Sequence, residues 1–173
     1  MLVDAMLDTR RTAPRTIAGP AGVEDQVAQT LEALFLGSGV MKPKFPLTYV
    51  EFAVGPANDI LGLEVRPFAA RYTPQTKPTA LRVAVGDKVV SYSGDGEFTT
   101  DLCATSWDAG LFVAECHFQN RPDTGHVNYN DIQDHKPDFG ARRMVLTRLD
   151  PETLAVRDQV IEDCAQDGMV IRL

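Results

Sequence analysis

Histidine is scarce in this 173-residue chain, with three in all and none before His117. Cysteine is as sparse: Cys103, Cys116 and Cys164 are odd in number, widely spaced and form no CxxC pair. Basic charge is short too, with 17 lysines and arginines against 24 aspartates and glutamates, a net charge of −7. That balance argues against a general binder of nucleic acid or of a membrane surface, which would present a basic face. No apolar run approaches the length that spans a membrane. The one in "MLVDAMLDTRRTAPRT" is interrupted by Asp4 and Asp8, so it does not read as the core of a secretion signal. Without an export signal the three thiols read as reduced, and the expected location is the cytoplasm. Repeats and low-complexity tracts are lacking as well.

What is present is material for a core: 44% of the residues are hydrophobic, which suits a single domain over residues 1–173. Residues 2–9 read as the end of a helix. "RTIAGP" reads as a short strand running into a turn. In "GVEDQVAQTLEALF", Val23, Val27, Leu31 and Phe35 recur every four residues and predict an amphipathic helix. "PLTYVEFAV" and "LEVRPFAARYTP" alternate as half-buried strands do. "TALRVAVGDKVVSYSGD" predicts a hairpin turning at Gly86-Asp87. Beyond Asp95 the rhythm changes to helix and strand in alternation. Helices are predicted near 99–108 and 128–139, each before an unbroken apolar strand, "LFVAE" and "RRMVLTRL". Asp150 and Pro151 predict the N-cap and first turn of a helix through "ETLAVRDQVIEDC", and "GMVIRL" predicts a closing strand. Antiparallel strands followed by βα units imply a layered α/β domain with a mixed sheet.

Open α/β sheets bind ligands outside the carboxyl ends of their strands. Three polar strand ends qualify: Ser93-Gly94-Asp95, then Glu115-Cys116-His117, then Thr147-Arg148 with Asp150 near. A loop histidine, His126, lies between the second strand and its helix. Each has a plainer reading. Asp95 could close its own glycine-bracketed turn, Glu115 and His117 could form an ordinary strand exit, and Arg148 could pair with nearby acids. Cys116 could be a buried small apolar group, and alternation along the strand keeps it off the face shared by Glu115 and His117. A Cys116 nucleophile with His126 as base is therefore disfavoured.

The order of "VVSYSGDGEFTTDL", "WDAGLFVAECHF", the histidine loop, "GARRMVLTRLDPE" and "QDGMVIRL" resembles the metallo-β-lactamase superfamily, in its tRNase Z-like and phosphodiesterase or lactonase branch. The resemblance implies a partial αββα sandwich with mixed sheets, lacking the opening strands and the metal loop. It makes Asp95 the metal-bridging aspartate of the family's "SGDT". It matches "AECHF" to the family's strand end and makes His126 the loop histidine that assists catalysis. It also implies losses. The H-x-H-x-D-H loop, which supplies most zinc ligands, has no counterpart here, because the chain starts after that point in the family's order. Tyr72 and Arg148 stand where two further ligand histidines are expected, and Gly96 stands in place of threonine.

A catalytic zinc site takes about three protein ligands and an open position. With Asp95 alone remaining, no cofactor is expected, zinc being the metal if any binds. Ser93, Glu115 and His117 are expected to line the pocket. The expected protein is hydrolase-like but inactive, or residually active, on its own. The alternatives are a metal-dependent ester, lactone or phosphodiester hydrolase completed by another chain, and an assembly protein. An exposed sheet edge implies a homo-oligomer or a protein partner, without membrane or nucleic acid. Arg142, Arg143 and Arg148 together suggest a weak anion site.

Overall fold

The structure is a computed structural model that describes residues 2, 11–73, 75–120 and 125–173. Most of the predicted helix over 2–9 lies outside the described residues. The chain divides into two compact units, Met1–Ala53 and Val54–Leu173.

In the first unit, β1 (Arg15–Gly19) and β2 (Leu47–Glu51) pair in parallel, with α1 (Val23–Leu34) between them in sequence. The fourfold spacing forms the helix as expected. Val23 and Leu31 are buried, and Leu31 packs with Phe45, Val27 and Leu47. The pattern overruns by one residue: Phe35 is the C-cap, extended and 48% exposed. Glu32 explains the stop, because its carboxylate accepts the amides of Gly37 at 2.9 and 3.0 Å and of Gly39 at 3.1 Å. These bonds fold the chain back over the last turn.

The second unit is built on a seven-stranded sheet in sequence order. Its strands are β3 (Asn58–Ile60), β4 (Leu63–Ala69), β5 (Thr79–Val85), β6 (Lys88–Tyr92), β7 (Leu111–Glu115), β8 (Met144–Thr147) and β9 (Asp163–Cys164). From β3 to β6 the pairing is antiparallel, and from β6 to β9 it is parallel. The expected mixed sheet, antiparallel first, is what forms. Two helices, α2 (Thr100–Ser106) and α3 (Tyr129–Asp134), supply the first two of the three crossovers that parallel pairing needs. Thr99 caps α2 through the amide of Leu102, and Asn128 with Asp131 forms a capping box on α3. Phe112, Ala114, Val127, Ile132 and Leu146 form the centre of the core, each at most 2% exposed.

Three elements differ from the sequence reading. Strand β3 was not expected. It is only three residues long, too short for alternation to register. Its turn, Leu61 (φ 57) and Gly62 (φ 80), places an unusual leucine where asparagine is normal. Asp59 steadies the turn by accepting the Gly62 amide at 2.9 Å. The helix starting at Pro151 ends at Ala155, as α4, and is followed by a 3₁₀ turn over Arg157–Gln159. The chain then leaves for the sheet edge as β9. "GMVIRL" forms no strand: Val170 is 82% exposed, and the edge position beside β8 is taken by β9.

Glu162 is the anchor that shortens that helix. It is 8% exposed, accepts Gln133 Nε2 on both oxygens at 3.1 Å, and pairs with Lys136 Nζ. Beside it, the Ile161 amide donates to the Tyr129 hydroxyl at 2.9 Å. Burial alone raises the Glu162 pKa, but Lys136, Tyr129 and Gln133 outweigh it and hold the carboxyl below its ordinary 4.5. A carboxyl held low in the folded state stabilises above its unfolded pKa and loses that effect as pH falls through the folded value. The stability gap between wild type and Glu162→Gln is therefore expected to narrow below pH 4.5. Thermal melts from about pH 7 down to about pH 3 read this, and a gap that is constant with pH would refute it.

Candidate functional site

The carboxyl ends of β6, β7 and β8 converge because those strands are parallel neighbours in register, Tyr92 beside Val113 and Glu115 beside Thr147. Ser93 ties the first two exits together. Its amide donates to the Val113 carbonyl at 3.0 Å, its hydroxyl accepts the Glu115 amide at 2.7 Å, and that hydroxyl donates to the Gly94 carbonyl at 2.8 Å. Gly94 has φ 66, and a Cβ there would stand 2.8 Å from the Thr79 carbonyl oxygen, so glycine is required. A Cβ at Gly96 would lie 3.0 Å from the Arg71 carbonyl oxygen and 3.4 Å from the Ala70 Cβ. A threonine at 96 would press on that backbone.

Glu115 is the centre of the cluster, its side chain 1% exposed. Its Oε2 accepts the Gly96 amide at 3.1 Å. Its Oε1 lies 2.6 Å from His126 Nδ1 and 3.5 Å from Arg148 Nε. Arg148 Nη1 also pairs with Asp95 Oδ2. The result is a chain of groups, Asp95, Arg148, Glu115 and His126, alternating acceptor and donor. Burial pulls the Arg148 pKa down, but Asp95 and then Glu115 outweigh it and hold the guanidinium above its ordinary value. Tyr92, beside the cluster, is pushed up by burial and then by Asp95.

The histidine tautomers follow from their partners. His117 Nδ1 lies 3.0 Å from the Arg148 carbonyl oxygen, which can only accept, so Nδ1 carries the proton. His126 Nδ1 likewise donates to the Glu115 carboxylate. Nε2 of each ring is not needed for these contacts, and the ring centroids are 4.8 Å apart. Tyr72 completes the group, its ring centroid 5.4 Å from that of His126. Asp150, which follows on the β8 exit, donates its amide to the His117 carbonyl at 2.9 Å. Its carboxylate accepts the Thr153 amide at 2.7 Å. The Thr153 side chain is the largest influence on the Asp150 pKa and lowers it, and the Thr153 amide acts in the same direction.

Of the residues singled out in the sequence, Tyr72, Ser93, Asp95, Glu115, His117, His126 and Arg148 meet in one place. Cys116 does not join them. It is fully buried, and burial pushes its thiol up to about 12, so it offers no thiolate. Arg142 and Arg143 do not join either, since they precede β8 while Arg148 follows it. They line a separate cavity of about 380 Å³ with Lys88 and Arg172, and Arg143 is held by Asp163 at 2.7 Å. Two features were missed: the Gly96 amide as a donor, and Thr153, fully buried, with its Oγ1 3.4 Å from the His117 carbonyl oxygen. Both lie in turn or cap positions, where side-chain pattern carries no trace of them.

No protein-family model matches the sequence, and no curated protein matches it. Solved structures do, and they define the class: the chain has the metallo-β-lactamase fold. Over 98% of its length it superposes on the metallo-β-lactamase fold protein YhfI of Bacillus subtilis, with TM-score 0.71 and 18% identity, covering 69% of that chain. It covers 70% of the short form of human tRNase Z at TM-score 0.64 and 17% identity, using 96% of its own length. For a diphosphatase of the PhnP family the values are TM-score 0.67, 13% identity, 99% of this chain and 65% of that one. The chain thus spans 65 to 70% of the length of these three structures.

This fold normally holds zinc, and the residues described here do not fit it. Among them no group of three His, Cys, Asp or Glu side chains is placed to hold a metal ion. The Asp95 carboxylate is engaged by a guanidinium, which has no lone pair to offer and repels a divalent cation.

Proposed function

We propose that this chain acts without zinc-dependent hydrolysis, as a metallo-β-lactamase-fold protein whose work is binding or assembly. The supporting observation is the Asp95–Arg148 pair. It occupies the carboxylate that metal-assisted water activation would require. Two copies, or a protein partner, are the expected assembly. The two-stranded parallel sheet of the first unit supports this, since β1 and β2 pair only with each other among the described residues and parallel strands are normally covered and flanked. The acidic net charge of −7 speaks against nucleic acid as that partner. The free cysteines, Cys103, Cys116 and Cys164, suit the cytoplasm. No helix among the described residues is long and apolar enough to cross a membrane.

The test is metal content after zinc exposure and dialysis, combined with turnover on phosphodiester, lactone and thioester substrates. Less than about a tenth of an equivalent of zinc is expected, because three-ligand sites bind tightly and this one lacks them. No zinc-dependent turnover is expected. Stoichiometric zinc with turnover would overturn the reading. It would favour a second one, a hydrolase whose metal ligands come from another chain and in which His126 moves the proton. The Glu115–His126 contact at 2.6 Å supports that alternative, because it orients the ring and leaves Nε2 to accept.

A further inference from the structure

Arg148 sits in a backbone conformation that L side chains rarely adopt, with φ 62. Arginine has no local reason to sit there, as glycine or asparagine would. What holds it are three contacts to two separate segments, the exits of β6 and β7. Its Nη1 meets Asp95 beyond β6, its Nε lies 3.5 Å from Glu115 at the end of β7, and its carbonyl accepts His117 Nδ1 at 3.0 Å. Without the guanidinium, two carboxylates from neighbouring strand ends would face each other, and the Glu115 side chain is only 1% exposed. A buried carboxylate without a cation is strongly unfavourable.

We propose that the Arg148 guanidinium is the protein's own cation at this site, bridging Asp95 and Glu115 and clamping the ends of β6, β7 and β8, so that its removal creates a binding site for a small planar cation. This rests on the reading that the chain works without zinc, because a resident metal would make the guanidinium redundant. The ligand class is monovalent and guanidinium-like. Arg148 uses two different nitrogens, Nη1 toward Asp95 and Nε toward Glu115, and a planar fork can reach two such acceptors at once better than a spherical ammonium can. The side chain of Arg148 is 44% exposed, so the space it vacates opens to solvent and a free ion can enter.

The test uses Arg148→Gly, because glycine accepts the positive φ and the variant loses the side chain without adding backbone strain. Its melting temperature is expected to fall by about 6–12 °C, the shift that breaking a partly buried ion pair produces in a protein of this size. Guanidinium chloride at about 20 mM, far too dilute to denature, should recover at least half of that loss. Sodium chloride and urea at the same concentration should recover none, and wild type should not respond. Arg148→Lys should melt between the two, since a point charge reaches one carboxylate only. A folded Arg148→Gly that melts like wild type, or that guanidinium leaves unchanged, overturns the proposal. If Arg148→Gly does not fold, Arg148→Gly with Glu115→Gln is read instead, because removing the buried charge removes the need for a cation. Recovered folding supports the proposal, and continued failure to fold overturns it. Zinc uptake by the wild-type protein would sink the functional reading by itself, whatever the variants do, so the two failures are distinguishable.

Discussion

Replacing Glu115 by alanine is expected to lower stability by about 2–4 kcal/mol, read in urea as a lower midpoint with an unchanged slope. Three separate losses add up. The Gly96 amide, which donates to Oε2 at 3.1 Å, is left buried without an acceptor. His126 loses the oxygen 2.6 Å from its Nδ1, and with it the reason for its orientation. Arg148 keeps Asp95 but loses its inner partner, 3.5 Å away. Because Arg148 is 44% exposed, water screens part of that third loss, so the estimate stays below the figure for a fully buried pair. Glu115→Gln keeps one acceptor oxygen, for the amide or for the imidazole but not for both, and is expected to cost about half as much. An alanine variant within about 0.5 kcal/mol of wild type, the range of an ordinary surface change, would show that Glu115 is not the keystone of the cluster.

Phe112→Ala is expected to cost about 3–5 kcal/mol, a fall in melting temperature on the order of 10 °C. Phe112 is fully buried on β7 and stacks on Phe139 with ring centroids 5.7 Å apart. It packs in the cluster that includes Leu102, Ile132 and Leu146. A cavity at this point cannot close easily, because the strands on either side, β6 and β8, are fixed by their own ladders. The effect should reach the cluster, since Glu115 is three residues further along the same strand. A loss below about 1 kcal/mol would mean that the core around β7 collapses freely onto the space.

These two residues differ in how visible they are in the sequence. Phe112 belongs to "LFVAE", an unbroken apolar run that reads as a covered strand on composition alone, and it is one. The same holds for the amphipathic helix Val23–Leu34 and for the hairpin turning at Gly86-Asp87, where spacing and turn chemistry act over a few residues. Glu115 was legible only as a polar strand end lining a pocket. Its role as the hub depends on Gly96, His126 and Arg148, which reach it from three other segments of the chain.

The elements misread share a cause. The pattern over 152–164 favours a helix, yet Lys136 and Gln133 draw Glu162 inward and the open edge of β8 pairs with Asp163 and Cys164. Both attractions are long-range, so no local window contains them. "GMVIRL" has the apolar content of a strand, but a strand needs a neighbour, and β9 had already taken the edge.

By itself the sequence determined the class of fold, the direction of the sheet and the identity of the residues around the site, because periodicity, turn residues and motif order are local properties. The resemblance also sets Tyr72 and Arg148 where the family's order leads one to expect ligand histidines. Only the tertiary structure decided what the remaining acids do. Asp95 is paired with a guanidinium that folding brings in from 53 residues away in sequence, and a carboxylate as buried as Glu115 calls for the same positive charge.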